Sequence, residues 1–210
     1  MNTADWTEYF KLEEGIPCPT NMVYVPLMNQ DMSILCMDFG NSRITFDNTF
    51  FFNNEITYLE KFKNYSWAPE VLEIDIKYRK IFIKWYGETF NNRIYSGKQI
   101  DTVCPNWKYQ LRTIITDIVT AKVYKMTIYP HCFYADSNGI MRTIDFYSCV
   151  DKANPYIAID LVNHIIGQKS KHRWVEAIDG DFVNFELFFK NALTKHVEWP
   201  DDALKDCINE

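Results

Sequence analysis

The chain has 210 residues, of which 47% are hydrophobic, 16% aromatic and 24% charged. These proportions exclude a disordered tail and a coiled coil, and they leave room for one large domain or two small halves around a sizeable core. A formal net charge of −6 repels phosphate backbones at long range, so no nucleic-acid partner is expected.

In chain order, the opening "MNTADWTEYFKLEEG" has neither a basic start nor an apolar run. No secretory signal is read there, no stretch of the chain reaches membrane-spanning length, and a cytoplasmic protein without a membrane partner is expected. After the turn signals of "EEGIPCPTN", two apolar stretches, "MVYVPL" and "MSILCMDF", flank the polar "MNQD" and predict a β-hairpin. Pro26 lies in the first stretch, which assigns that strand to a sheet edge or breaks it there. In "FFFNNEITYLEKFKNY", Asn53 or Asn54 is placed to cap a helix whose Ile56, Leu59 and Phe62 recur at helical spacing. Leu72, Ile74 and Ile76 then alternate ahead of a second apolar run, Ile81 to Tyr86, and the pair predicts a second hairpin.

Polar "GETFNNRIYSGKQIDT" reads as a linker, with residues 1–90 before it and 91–210 beyond. Asn106 is a candidate cap for a helix that carries Trp107, Leu111, Ile114, Ile115 and Ile118 on one face. A hairpin over 132–146 follows, turning at Asn138-Gly139, where a positive φ is tolerated. Two more helices are expected, one from Asn154-Pro155 to Gly167 and one from Asp181 bearing Phe182, Phe185, Phe189, Leu193 and Val197. The basic cluster Lys169, Lys171, His172 and Arg173 reads as a solvated loop or helix end in preference to a phosphate site. Six cysteines, at 18, 36, 104, 132, 149 and 207, stand singly without a CxxC pair, so neither a zinc ribbon nor a redox motif is written and buried thiols are expected.

Asp145 stands between Ile144 and Phe146 at the end of the 132–146 hairpin. An isolated carboxylate in an apolar strand needs a polar partner or a function. "NEITYLEKF", "APEVLEIDIKYRKIFIKWYG" and "YPHCFYADSNGIMRTIDFY", in that order, resemble the small-half helix, the strands leading to the hinge, and the catalytic loop with its metal-binding Asp-Phe-Gly of the protein-kinase-like fold. The resemblance is to the branch of aminoglycoside, choline and lipopolysaccharide kinases, and also to small kinase-like proteins carried by tailed bacteriophages. It implies an α+β, bilobal architecture: a β-rich N-lobe with one helix over residues 1–90 and a short, mostly helical C-lobe over 91–210. It further implies ATP and Mg²⁺ as cofactors, with Asp145 as a metal ligand and Glu55 as the helix carboxylate that pairs with a nucleotide-holding Lys.

The chemistry departs from that pattern while the spacing keeps it. Cys36 of "SILCMDF" falls where the resemblance expects the Lys, Thr127 of "TIYPHCF" where it expects the catalytic Asp, and Cys132 where it expects the second metal ligand. Thr127 and Cys132 are five residues apart, and Cys132 and Asp145 thirteen, as the family requires. Tyr147 replaces the Gly of Asp-Phe-Gly, and the first hairpin contains no glycine to let backbone amides approach phosphates. Phosphoryl transfer rests on positioning and on charge neutralised by Mg²⁺, so these losses together cost orders of magnitude in rate.

The remaining polar residues each admit two roles. His131 is a metal or proton ligand, or a hydrogen-bonded structural residue. Asp145 is a metal ligand or a carboxylate accepting backbone N–H groups, and Glu55 is a nucleotide-side carboxylate or a first-turn residue favoured by the helix dipole. Arg43 either replaces the missing cation or is an exposed arginine, and Lys122, Lys125 and Arg142 flank the expected cleft. Two functional classes follow: a pseudokinase-type protein that binds a small molecule or a protein partner, and an atypical ATP/Mg-dependent small-molecule phosphotransferase. A third, an assembly component, would use Trp174, Phe188 and Trp199 of the tail as an interface.

Overall fold

A computed structural model describes residues 23–41, 48–159, 177–194, 199–200 and 203–204. Strands β1 (Val25–Met28) and β2 (Ile34–Asp38) form the expected first hairpin. Its turn is built from side chains: Asn29 Oδ1 accepts the Ile34 amide at 2.9 Å and Asp31 Oδ1 the Ser33 amide at 3.1 Å. With β3 (Val71–Asp75) and β4 (Lys80–Lys84) the hairpin makes a four-stranded antiparallel sheet in the order β1-β2-β4-β3. Pro26 therefore lies on an edge strand, where its missing N–H breaks no internal ladder. The consecutive residues Leu35, Cys36 and Met37 are all buried, so both faces of β2 are covered.

Helix α1 spans Thr49–Phe62, and thus begins after Asn48 and not at Asn53 or Asn54. The apolar stripe explains the earlier start, because Phe51 and Phe52 extend it through Tyr58, Leu59 and Phe62. Asn48 holds the entry by donating from Nδ2 to the Phe39 carbonyl at 3.0 Å. Glu55 now falls in the second turn and inside the buried stripe, so the helix-dipole account of it fails.

The expected linker is folded. Helix α2 (Phe90–Tyr95) is capped by Thr89, whose side chain accepts the Asn92 amide, and a 3₁₀ turn follows at Ile100–Thr102. Buried Phe90 and Ile100 anchor the segment, and the Arg93 guanidinium ties it together by donating to Glu88 and to Thr102 Oγ1. Helix α3 (Trp107–Thr120) buries Trp107, Leu111, Ile114, Ile115 and Ile118, the five residues that the periodicity selects. Asn106 precedes it in the left-handed region at φ 57° and makes no side-chain cap.

Beyond α3, β5 (Val123–Lys125) pairs with β8 (Cys149–Asp151), and β6 (Phe133–Ala135) pairs with β7 (Met141–Thr143). Between these pairs sit two 3₁₀ turns, Pro130–Cys132 and Phe146–Ser148. Farther on, sequence expectation is corrected twice. Tyr156–Ala158, read as a helix start, is strand β9, and Phe182–Asn184 is strand β11. Together with β10 (Ile178–Asp179) they form a three-stranded sheet, and helix α4 begins only at Phe185, running to Thr194. Short strands of this kind are fixed by pairing partners, which a one-dimensional period does not contain. Arg43, Trp174, Val197, Gly167 and the 169–173 cluster lie outside the described residues.

The described residues therefore make an α+β fold of small antiparallel sheets and four α-helices. Phe62 and Trp67 pack against Phe146 with ring centroids 5.6 and 6.4 Å apart, joining α1 to the segment after Asp145. Phe188 and Trp199 are buried, and the Trp199 indole N–H donates to the Ile128 carbonyl at 2.6 Å. Those two aromatics belong to the core and do not form an exposed interface. Among the described residues no helix is long and apolar enough to cross a membrane.

Candidate functional site

Lys125 closes strand β5, and Thr127 follows two residues on. Both are buried. Lys125 Nζ donates to Thr127 Oγ1 at 2.6 Å, to the Ile144 carbonyl at 2.7 Å and to the Asp145 carbonyl at 2.8 Å. An ammonium has three N–H groups, so this one is saturated. It also lies 5.0 Å from the centroid of the Phe146 ring, a cation–π distance. Thr127 in turn donates its hydroxyl proton to the Asp145 carbonyl and lies 3.2 Å from Ser148 Oγ.

Asp145 adopts φ 67° and ψ 54°, a left-handed geometry that Asp tolerates better than most residues. The kink sends its carbonyl toward Lys125 and Thr127 and its carboxylate the other way. There Oδ1 accepts the Tyr24 hydroxyl at 2.7 Å and Oδ2 accepts the Cys132 thiol at 3.1 Å. The isolated carboxylate in "TIDFY" thus has two partners, one of them 121 residues away in sequence. Burial, reinforced by the Asp145 charge, raises the Tyr24, Cys132 and Tyr147 pKa values well above their ordinary ranges. All three stay neutral donors or ring walls at physiological pH.

Glu55 approaches from α1. Its Oε2 accepts the Tyr147 amide at 2.6 Å, while Oε1 has no hydrogen-bond partner. Burial pushes its pKa up to about 8, the Asp145 charge adds to the rise, and Lys125 and the backbone amides oppose it. Glu55 is therefore mainly protonated at neutral pH. Its electrostatic partner is Lys125 of β5 and not a residue of β2. On β2, Cys36 is fully buried opposite Phe82 of β4, and burial with the Asp38 charge pushes its thiol up to about 12.

His131, Cys132 and Asp145 meet at one point, with ligand atoms all within 4.8 Å of one another. His131 is exposed and stacks on Tyr129, with centroids 5.4 Å apart and planes at 12°. Tyr24, which bonds Asp145, and Phe51 pack edge-on against Tyr147, at 6.2 and 6.1 Å. A separate groove of about 600 Å³ is lined by Tyr86, Glu88, Arg93, Val103, Ala135 and Asp136 among others, and none of the sequence-selected site residues lines it.

This arrangement was compared with known proteins. No protein-family model and no curated protein matches the sequence. Solved structures do match the fold, two of WbdD among them. Monomeric WbdD is 15% identical with a TM-score of 0.50, the match covering 87% of this chain and 48% of that one. The bifunctional kinase-methyltransferase WbdD is 15% identical with a TM-score of 0.50, over 95% of this chain and 50% of that one. The fold is kinase-like. The chain spans about half the length of the WbdD chains it matches, and at this identity the likeness extends to the fold alone.

Within a kinase-like fold, the residues present do not suit a magnesium nucleotide. Mg²⁺ requires oxygen ligands in near-octahedral array and dehydrates reluctantly. Both oxygens of Asp145 are already hydrogen-bonded, and its neighbour Cys132 offers sulfur. Thr127 is a poor general base, its proton being held by the Asp145 carbonyl. Sequence reasoning counted Lys125 among several flanking cations and did not foresee its central place. The signal was there: a lysine inside the apolar run "VYKMTI" in phase with Thr127. Of the other flanking cations, Lys122 is exposed and Arg142 is bonded to Asp136 and to the Ala68 carbonyl. Tyr24 carried no comparable signal.

Proposed function

We propose that the protein is a kinase-like, pseudokinase-type binder, in which a two-lobed frame of residues 1–90 and 91–210 holds a small molecule or protein partner and does not transfer phosphate. The observation that carries this reading is the hydrogen bonding of Asp145 within the chain. Tyr24 and Cys132 occupy its carboxylate, and Thr127 and Lys125 occupy its carbonyl. In this reading Thr127 and His131 stand at the catalytic positions, Cys36 and Glu55 at the nucleotide-binding positions, and Asp145 and Cys132 at the metal positions, with their chemistry replaced. WbdD is by title a bifunctional kinase-methyltransferase, so phosphotransfer is the activity against which this reading is tested. The test is γ-phosphate transfer or release from ATP with Mg²⁺, run beside Asp145→Asn. The expected result is the same background rate in both proteins, whereas turnover at ordinary kinase rates of roughly 1–100 s⁻¹, abolished in the variant, would overturn the proposal.

A further inference from the structure

A two-stranded hairpin is marginal in water and leaves an unpaired edge on each side. The pair β6–β7 is such a hairpin, and residues from the part of the chain before α2 bond to both of its outer edges. On the β7 side the Thr143 amide donates to the Trp67 carbonyl at 3.3 Å. On the β6 side Tyr134 forms an antiparallel bridge with Thr89, and its ring packs on Trp85 and Tyr86 with centroids 4.5 and 6.2 Å apart.

The same hairpin is fixed to α3. Gln110 donates from Nε2 to the Gly139 carbonyl at 3.0 Å and accepts the Met141 amide at 2.8 Å. Gly139 permits this close seating, because a Cβ there would lie 3.0 Å from Pro105 Cδ. Arg142 joins the two attachments. Its Nε and Nη2 donate to Asp136 Oδ2 at 3.0 and 2.8 Å, and its Nη1 donates to the Ala68 carbonyl. Asp136 is itself oriented, since its Oδ1 accepts the Asn138 and Ile140 amides at 2.8 and 3.0 Å. The guanidinium is thus held in one geometry by a carboxylate of its own hairpin and reaches across to the loop between α1 and β3. One residue earlier in that loop, Trp67 Nε1 donates to Asp117 Oδ2 of α3 at 2.8 Å.

We infer that β6–β7 is a clasp, pinned by Arg142, that makes the four-stranded sheet with α1 and the segment from α3 onward open as one cooperative unit and not as two hinged bodies. The inference rests on the two-lobed frame of the pseudokinase reading and adds how that frame moves. Separating the two parts would strip both outer edges from a hairpin too small to stand alone. It would also leave the buried Ala68 carbonyl without the donor that Asp136 holds in place. A small molecule or protein that binds such a frame meets a preformed surface in place of a closing cleft.

The experiment is amide hydrogen exchange on the full chain, followed by NMR in rising urea below the unfolding transition. Thr143 reports the clasp, Ile83 the four-stranded sheet and Ile115 helix α3. In wild type the three amides should converge on one opening free energy, the exchange signature of a single cooperative unit. Arg142→Ala removes charge-assisted bonds and should speed Thr143 exchange ~10-fold or more relative to Ile115 in the same protein. A wild-type Thr143 amide that opens ~10-fold or more often than both Ile83 and Ile115 would overturn the clasp, as would an unchanged ratio of Thr143 to Ile115 in Arg142→Ala. Should Arg142→Ala not fold, Asp136→Asn removes the charge that orients the guanidinium and is put to the same comparison, with the same expected direction. Phosphate transfer from ATP at kinase rates would sink the pseudokinase reading and leave the clasp standing; independent opening of Thr143 would do the reverse.

Discussion

Lys125 ties two chain segments together through one ammonium, the stretch 125–127 and the stretch 144–145, and its loss should be felt more than that of any other polar residue in the site. Lys125→Met would remove the ammonium that donates to Thr127 Oγ1 and to the Ile144 and Asp145 carbonyls, leaving the Ile144 carbonyl without this donor. A hydrogen bond from a charged group contributes about 1.5–3 kcal/mol, and the loss should be read as a lowered denaturant midpoint with an unchanged slope. Tyr24→Phe removes one bond to a charged oxygen and should cost about 1.5–3 kcal/mol. Glu55 adds a pH signature. The folded chain keeps its proton up to about pH 8, whereas the ordinary value is 4.5. Between those values the unfolded chain binds fewer protons than the folded one, so stability falls as pH rises, by at most about 1.4 kcal/mol per pH unit from this group. Denaturant midpoints measured from pH 5 to 8 should show that fall in wild type and a flatter profile in Glu55→Gln; identical profiles would contradict the buried, protonated assignment.

At the scale of elements, α1 joins the sheet to the site. Phe62→Ala would empty a fully buried position in contact with Trp67 and Phe146, at a cost of about 3–5 kcal/mol, and near-ultraviolet circular dichroism should report the disturbed aromatic cluster. Gly40, just past β2, has a close-approach role: a Cβ there would lie 2.5 Å from the Tyr78 carbonyl oxygen. Gly40→Ala should therefore cost about 1–3 kcal/mol through displaced backbone. Elements with a strong period were legible in the sequence. All five apolar positions expected for α3 are buried, and Pro26 does mark an edge strand. What was missed depends on distant partners. The strands at 156–158 and 182–184 exist because they pair with each other, and the polar segment after Gly87 folds because Phe90 and Ile100 find the core. Likewise Asp145 could be singled out from its apolar neighbours, but Tyr24 could not, since the spacing of residues 24 and 145 carries no local pattern.

Across the whole molecule, a kinase-like fold surrounds a polar cluster that is closed on itself. Asp145 is bonded through its carboxylate to Tyr24 and Cys132 and through its carbonyl to Thr127 and Lys125. The groove of about 600 Å³ lined by Tyr86, Arg93 and Asp136 does not include Asp145. The decisive measurement is thermal unfolding of the full chain in rising ATP, with Mg²⁺ and with a chelator in its place. A ligand that binds only the folded state at 100 times its dissociation constant adds about 2.7 kcal/mol, so genuine binding is easily seen. Melting temperatures that do not respond to Mg²⁺ at any ATP concentration are the expected result. A rise of several degrees that requires Mg²⁺ and disappears in Asp145→Asn would contradict the account.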